Sequence, residues 1–124
     1  MALVMSSAAG RTRLHAEGDL RVLWLTAGRS ELALSVQGLW LRRGRRETEL
    51  RWEEIQQVQA VAAPGLRRGS VRVEVFSPDG GVHALGPFGR APAERWVAAC
   101  AQAATEAGLE PMPLEGATGF ALHA

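Results

Sequence analysis

The chain contains no lysine and no tyrosine, and its 14 basic residues are all arginine. An arginine-only basic set has two readings. The planar guanidinium fork suits carboxylates and phosphates. A chain rich in Ala, Arg and Gly also follows from a GC-rich genome, and composition by itself locates no site. The single cysteine, Cys100, excludes an internal disulfide. A formal net charge of +1 excludes a global field that would draw in nucleic acid or a membrane surface. No run reaches the ~18–20 apolar residues that span a bilayer, so no transmembrane segment is expected. Residues 1–10 carry no positive charge ahead of their mildly apolar stretch, and Arg11 and Arg13 come after it. That order is the reverse of a secretory signal, and a cytoplasmic location is expected.

Catalytic and metal-binding patterns are also missing. The three histidines, His15, His83 and His123, have no ligand spacing, and one cysteine makes no zinc knuckle. Gly65-Leu66-Arg67-Arg68-Gly69 has neither the spacing of a phosphate loop nor a helix after it. Glu47 and Glu49 share the polar face of a strand, where solvated carboxylates are the ordinary outcome, and nothing near Glu53 and Glu54 would shift a pKa. Cys100 falls on an apolar helical stripe, which suits a buried thiol rather than a nucleophile. The expectation is a protein that is not an enzyme, with no catalytic residue, no metal and no cofactor.

What is present is a series of short strands followed by one helix. The 124 residues, 47% hydrophobic, suit one domain with one core. Residues 1–18 have no sustained period and read as a flexible N-terminal arm. Residues 20–25 are apolar on both faces and read as a strand. Leu32, Leu34 and Val36 alternate with Ala33 and Ser35, Gln37-Gly38 turns the chain, and residues 39–42 run back. After Arg43-Gly44-Arg45, Thr48, Leu50 and Trp52 alternate with charged residues. Residues 52–61 remain open between a helical stripe and a turn leading into a strand. Val71, Val73 and Val75 form one strand face, and Pro78-Asp79-Gly80-Gly81 is a hairpin signal. Pro92 suits the first turn of a helix whose stripe is Trp96, Ala99, Cys100, Ala103 and Ala107, ended by Gly108. Residues 110–124, with two prolines and two glycines, read as a tail or docking segment. Strands first and a helix last predict an antiparallel α+β arrangement.

Two stretches carry a family resemblance: Leu32-Ala33-Leu34-Ser35-Val36-Gln37-Gly38-Leu39-Trp40-Leu41, then Glu49-Leu50-Arg51-Trp52-Glu53-Glu54-Ile55-Gln56-Gln57-Val58. With Trp96 near the start of the helix, they resemble a bacterial pleckstrin-homology-like domain over residues 19–109. The resemblance implies a partly open antiparallel barrel of two near-orthogonal sheets, six or seven strands in all, capped by one C-terminal helix. It implies phosphoinositide binding, peptide binding or scaffolding, and the fold does not choose among them. Phosphoinositide-binding members carry basic residues around the first hairpin; here that turn, Thr26-Ala27-Gly28-Arg29, has one arginine, with Arg21 on the strand before it.

Two surfaces are candidates for function. Arg42, Arg43, Arg45 and Arg46 surround one hairpin turn, with Arg67 and Arg68 as a second basic loop. Clustered guanidinium groups grip phosphates; equally, this is a solvated turn neutralised by Glu47 and Glu49. Trp24, Trp40 and Trp52 read as core packing or as a stacking platform. Trp40, of opposite parity to Leu39 and Leu41, points to the outer face. The first functional reading is a protein–protein interaction or self-association module using Trp24 and Trp40. The second is an anionic ligand, a lipid headgroup or a phosphate, on the arginines. Nucleic acid is not the expected partner.

Overall fold

A computed structural model of the chain describes residues 4–6, 13–17, 22–62 and 68–122. The fold is α+β, with two antiparallel sheets and one helix. In the first sheet, four strands form a meander: β3 (Val22–Ala27), β4 (Ser30–Ser35), β5 (Gly38–Arg43) and β6 (Arg46–Arg51). Two-residue turns join them. Gly28 and Gly44 take the positive φ that such turns require. The same sheet is extended beyond β3 by β2 (Arg13–Glu17) and β1 (Val4–Ser6). Part of the segment expected to be an arm is therefore strand, paired from Arg13↔Thr26 to Glu17↔Val22. β3 is thus an interior strand, paired on both edges.

Residues 52–61 resolve as the second alternative: a single 3-10 turn at Trp52–Glu54, then a strand, β7 (Gln57–Val61). Trp52 is buried and donates its indole N–H to the Val36 carbonyl at 2.9 Å, so it locks the β4–β5 turn. The Glu54 carboxylate accepts from the Arg51 backbone N–H at 3.0 Å. β7 pairs with β8 (Ser70–Phe76), and β8 with β9 (Val82–Gly89). The β8–β9 turn is held by the Asp79 carboxylate, which accepts from the Gly81 N–H and the Ser77 hydroxyl.

The helix, α1 (Arg90–Glu106), lies between the sheets. Its buried side is Pro92, Ala93, Trp96, Val97, Cys100 and Ala104. Trp96 and Cys100 are fully buried, as their spacing predicts. The rest of the expected stripe is rotated: Ala99 and Ala103 sit at its margin and Ala107 is exposed. Val97 and Ala104 take their places, because the helix packs on both sheets and needs a wider apolar arc.

Residues 110–122 are not a tail. β10 (Met112–Pro113) and β11 (Thr118–Ala121) form a hairpin, and β11 pairs with β7, giving a second sheet in the order β10-β11-β7-β8-β9. Phe120 and Leu122 enter the core.

The sheets do not close into the expected barrel; among the described residues no strand of one pairs with a strand of the other. β9 packs against β3 and β4, interior strands already paired on both edges, so neither offers it a ladder. Pro87 has no N–H to offer a neighbour. Gly86 is already satisfied, its N–H donating to the Ser30 hydroxyl at 3.1 Å and its carbonyl accepting from it at 3.4 Å. Side chains, not a ladder, bridge this seam. Among the described residues there are eleven strands rather than the six or seven expected, because β1, β2, β10 and β11 lie outside residues 19–109.

Candidate functional site

Strand alternation sorts the arginine hairpin into two faces. Along β5, Leu39, Leu41 and Arg43 share the inner face, while Trp40 and Arg42 share the outer one. The register aligns Ala27, Ser30, Arg43 and Arg46 across the inner face, and Thr26, Glu31, Arg42 and Glu47 across the outer face. Arg42 is thus flanked by two carboxylates. It forms an ion pair with Glu31 and donates to the Gly44 carbonyl at 2.7 Å. Arg45 stands exposed at the turn.

Arg43 and Arg46 instead line a cleft of about 270 Å³ at the open seam between the sheets. Its other side is β9: Val82, His83, Ala84 and Leu85. His83 is on the inner face of the second sheet, opposite Val75. Two guanidinium groups and an imidazole, from strands of different sheets, therefore border one space, with Thr48 and Leu41 completing it. Arg43 donates to the Ala84 carbonyl at 3.4 Å, which ties the hairpin to β9. Arg68 is exposed at the β7–β8 connection, beside Gly69, and does not line this cleft. Arg67, Arg21 and His123 lie outside the described residues. Of the sequence candidates, then, Arg43 and Arg46 are brought together, while Arg42 is engaged on the other face. His83 was not among the candidates. The parity of β9 was the available signal for it, but only the seam shows which strand it faces.

No protein family, curated protein or solved structure matches this chain.

Trp24 and Trp40 are a separate feature. They lie on the outer face of the first sheet, with Ala33 between them in register. Ala33 is 5% exposed, and its small side chain lets the two indoles meet edge to face, centroids 5.5 Å apart at 70°. Both rings are half-buried.

Neither of the two groups with a clearly displaced pKa, Cys100 and Asp79, lines the cleft. Burial pushes the Cys100 thiol up, which removes thiolate character. The Ser77 hydroxyl, then the Gly81 N–H, hold Asp79 down in its turn. Among the described residues, no group of three or more His, Cys, Asp or Glu side chains is placed to hold a metal ion. Nor is any helix among them long and apolar enough to cross a membrane.

Proposed function

We propose that the chain is a non-catalytic, pleckstrin-homology-like binding module that takes an anionic group in the cleft between the β5–β6 hairpin and β9. The observation that carries this is the convergence of Arg43, Arg46 and His83 on one space from two sheets. Charge-assisted hydrogen bonds from guanidinium forks are strong and directional, and the Ala84 carbonyl steadies one fork. The element order supports the family reading: a four-stranded meander, three further strands and a closing helix.

Calorimetric titration with inorganic phosphate tests it. Binding is expected, weakened by salt because the groups are partly exposed. Arg43→Ser together with Arg46→Ser should lower affinity at least ten-fold. Arg45→Ser and Arg68→Ser should each change it less than two-fold. A double variant that binds phosphate as the native chain does ends this reading.

The second reading is self-association through the outer face of the first sheet. The Trp24–Trp40 pair favours it. Around the pair, Arg42 and Arg51 alternate with Glu47 and Glu49, a mixed-charge rim that complements itself under two-fold symmetry. Sedimentation at tens of micromolar should show a dimer that Trp40→Ser abolishes. A monomer throughout would dismiss it.

A further inference from the structure

We infer that the outer face of the first sheet carries a second site, beside Trp40, for a small organic cation of the quaternary ammonium class. It is separate from the anion cleft, which lies on the inner face. A cavity of about 220 Å³ opens there, bordered by Trp40, Glu49, Arg51, Glu54, Ser35 and Gln37. Register explains the arrangement. Gly44 and Arg45 form a two-residue turn, so Arg43 and Arg46 are a hydrogen-bonded pair and such pairs alternate from there. Trp40 and Glu49 are therefore a non-hydrogen-bonded pair, the kind whose side chains stand closest. Gly38 pairs with Arg51 at the next outer-face position and has no side chain to fill the space beside the indole. The pairing requires glycine, because a Cβ there would meet the Leu50 carbonyl and lie 2.9 Å from the Arg51 Cα. On its other flank the Trp40 ring is held by Trp24, edge to face at 5.5 Å.

An indole face attracts cations through its quadrupole, more strongly than other aromatic faces do. The charges around this ring have the same preference. Glu47 and Glu49 face outward on β6 with Arg51, and Glu53 and Glu54 follow on the turn, all of them exposed. Arg42 does not offset them, because it is paired with Glu31. Glu54 accepts from the Arg51 backbone N–H at 3.0 Å, which holds its carboxylate at the rim. Among the described residues Glu49 is in no ion pair. An anion would meet these carboxylates. A neutral ring would stack on the indole and leave their charge unanswered. A metal ion would lack ligands, since among the described residues no group of three His, Cys, Asp or Glu side chains is placed to hold one. The cavity also falls below the roughly 300–1,000 Å³ of sites for drug-sized ligands, so the occupant is a single cationic head group.

The experiment titrates choline into the full chain, followed by backbone amide and indole N–H NMR. The control ligand is its uncharged carbon isostere, in which a tert-butyl group replaces the trimethylammonium. Choline is expected to bind about five-fold more tightly than the isostere, the scale of a cation over an exposed indole. It should shift the Gly38 and Glu49 amides, and added salt should weaken it. Glu49→Gln should lower choline affinity about three-fold and Arg51→Gln should raise it, because each changes the charge at the rim. Trp40→Phe keeps a ring with a weaker face and should lower it about two-fold. Glu106→Gln, an equal charge change at an exposed position on the helix, should leave it as it is. Equal affinity for choline and the isostere overturns the site. So does choline affinity that neither Glu49→Gln nor Trp40→Phe alters, and so does failure of choline to bind. None of these results bears on the Arg43–Arg46–His83 cleft, which phosphate tests by itself.

Discussion

Trp96 ties the helix to the first sheet in two ways. Its ring is wholly buried, and its indole N–H donates to the Leu23 carbonyl on β3 at 3.1 Å. Trp96→Ala is expected to destabilise the domain by ~3–5 kcal/mol, the range for deleting a large buried aromatic. Trp96→Phe keeps most of the packing and leaves the carbonyl without that donor, so ~1–3 kcal/mol is expected. Urea denaturation checks both. An alanine variant that unfolds at the native midpoint would show that the helix is not a structural lid. At this scale much was legible. Trp96 and Cys100 are buried where their four-residue spacing predicts, and Trp40 faces outward as its parity against Leu39 and Leu41 predicts. The arginine hairpin was less legible. Its four guanidinium groups look alike in sequence, and only register separates Arg42, between Glu31 and Glu47, from Arg43, opposite Arg46.

β11 is the element that sequence patterning conceals. It is short, sits among prolines and glycines, and shows its apolar alternation only at Phe120 and Leu122. Nothing local says that it adds to β7, because the partner is more than fifty residues away. Gly119 makes the pairing possible. A Cβ there would meet the Val58 carbonyl oxygen and lie 2.7 Å from the Cα of Gln59, closer than side chains and backbone approach. Gly119→Ala must therefore push β11 off β7 or strain both strands, at ~1–3 kcal/mol, the usual cost of overpacking. Gly116→Ala, at a positive-φ turn in open space, meets no atom and should cost less, ~1 kcal/mol. Hydrogen exchange separates the two variants. Gly119→Ala should lose protection at the β7–β11 amides, while Gly116→Ala should leave it in place.

At the scale of the whole molecule, the two sheets share a core without sharing a strand pair among the described residues, so side chains from both sheets and the helix close it. The core cluster runs from Leu25 on β3 to Leu122 beyond β11, with Trp96, Val97 and Cys100 of the helix between them. Residues 110–122 are therefore part of the domain. Thr118 also donates to the Glu94 carboxylate at 3.1 Å, and the Leu122 N–H to the Gln56 carbonyl at 2.8 Å. A chain ending at Leu109 would match the family resemblance and still lack two buried core side chains and the strand that pairs with β7. Loss of a buried Phe costs ~3–5 kcal/mol and of a buried Leu ~2–5 kcal/mol, against a total stability of ~5–15 kcal/mol for an ordinary domain. The truncated chain is expected to lose most or all of its cooperative transition. Thermal melting by circular dichroism, with near-ultraviolet signals from the four tryptophans, reads this directly. A truncated chain that melts cooperatively within a few degrees of the full one would show that the core is complete without the hairpin. The sheet edge at β7 would then be a free surface rather than an internal joint.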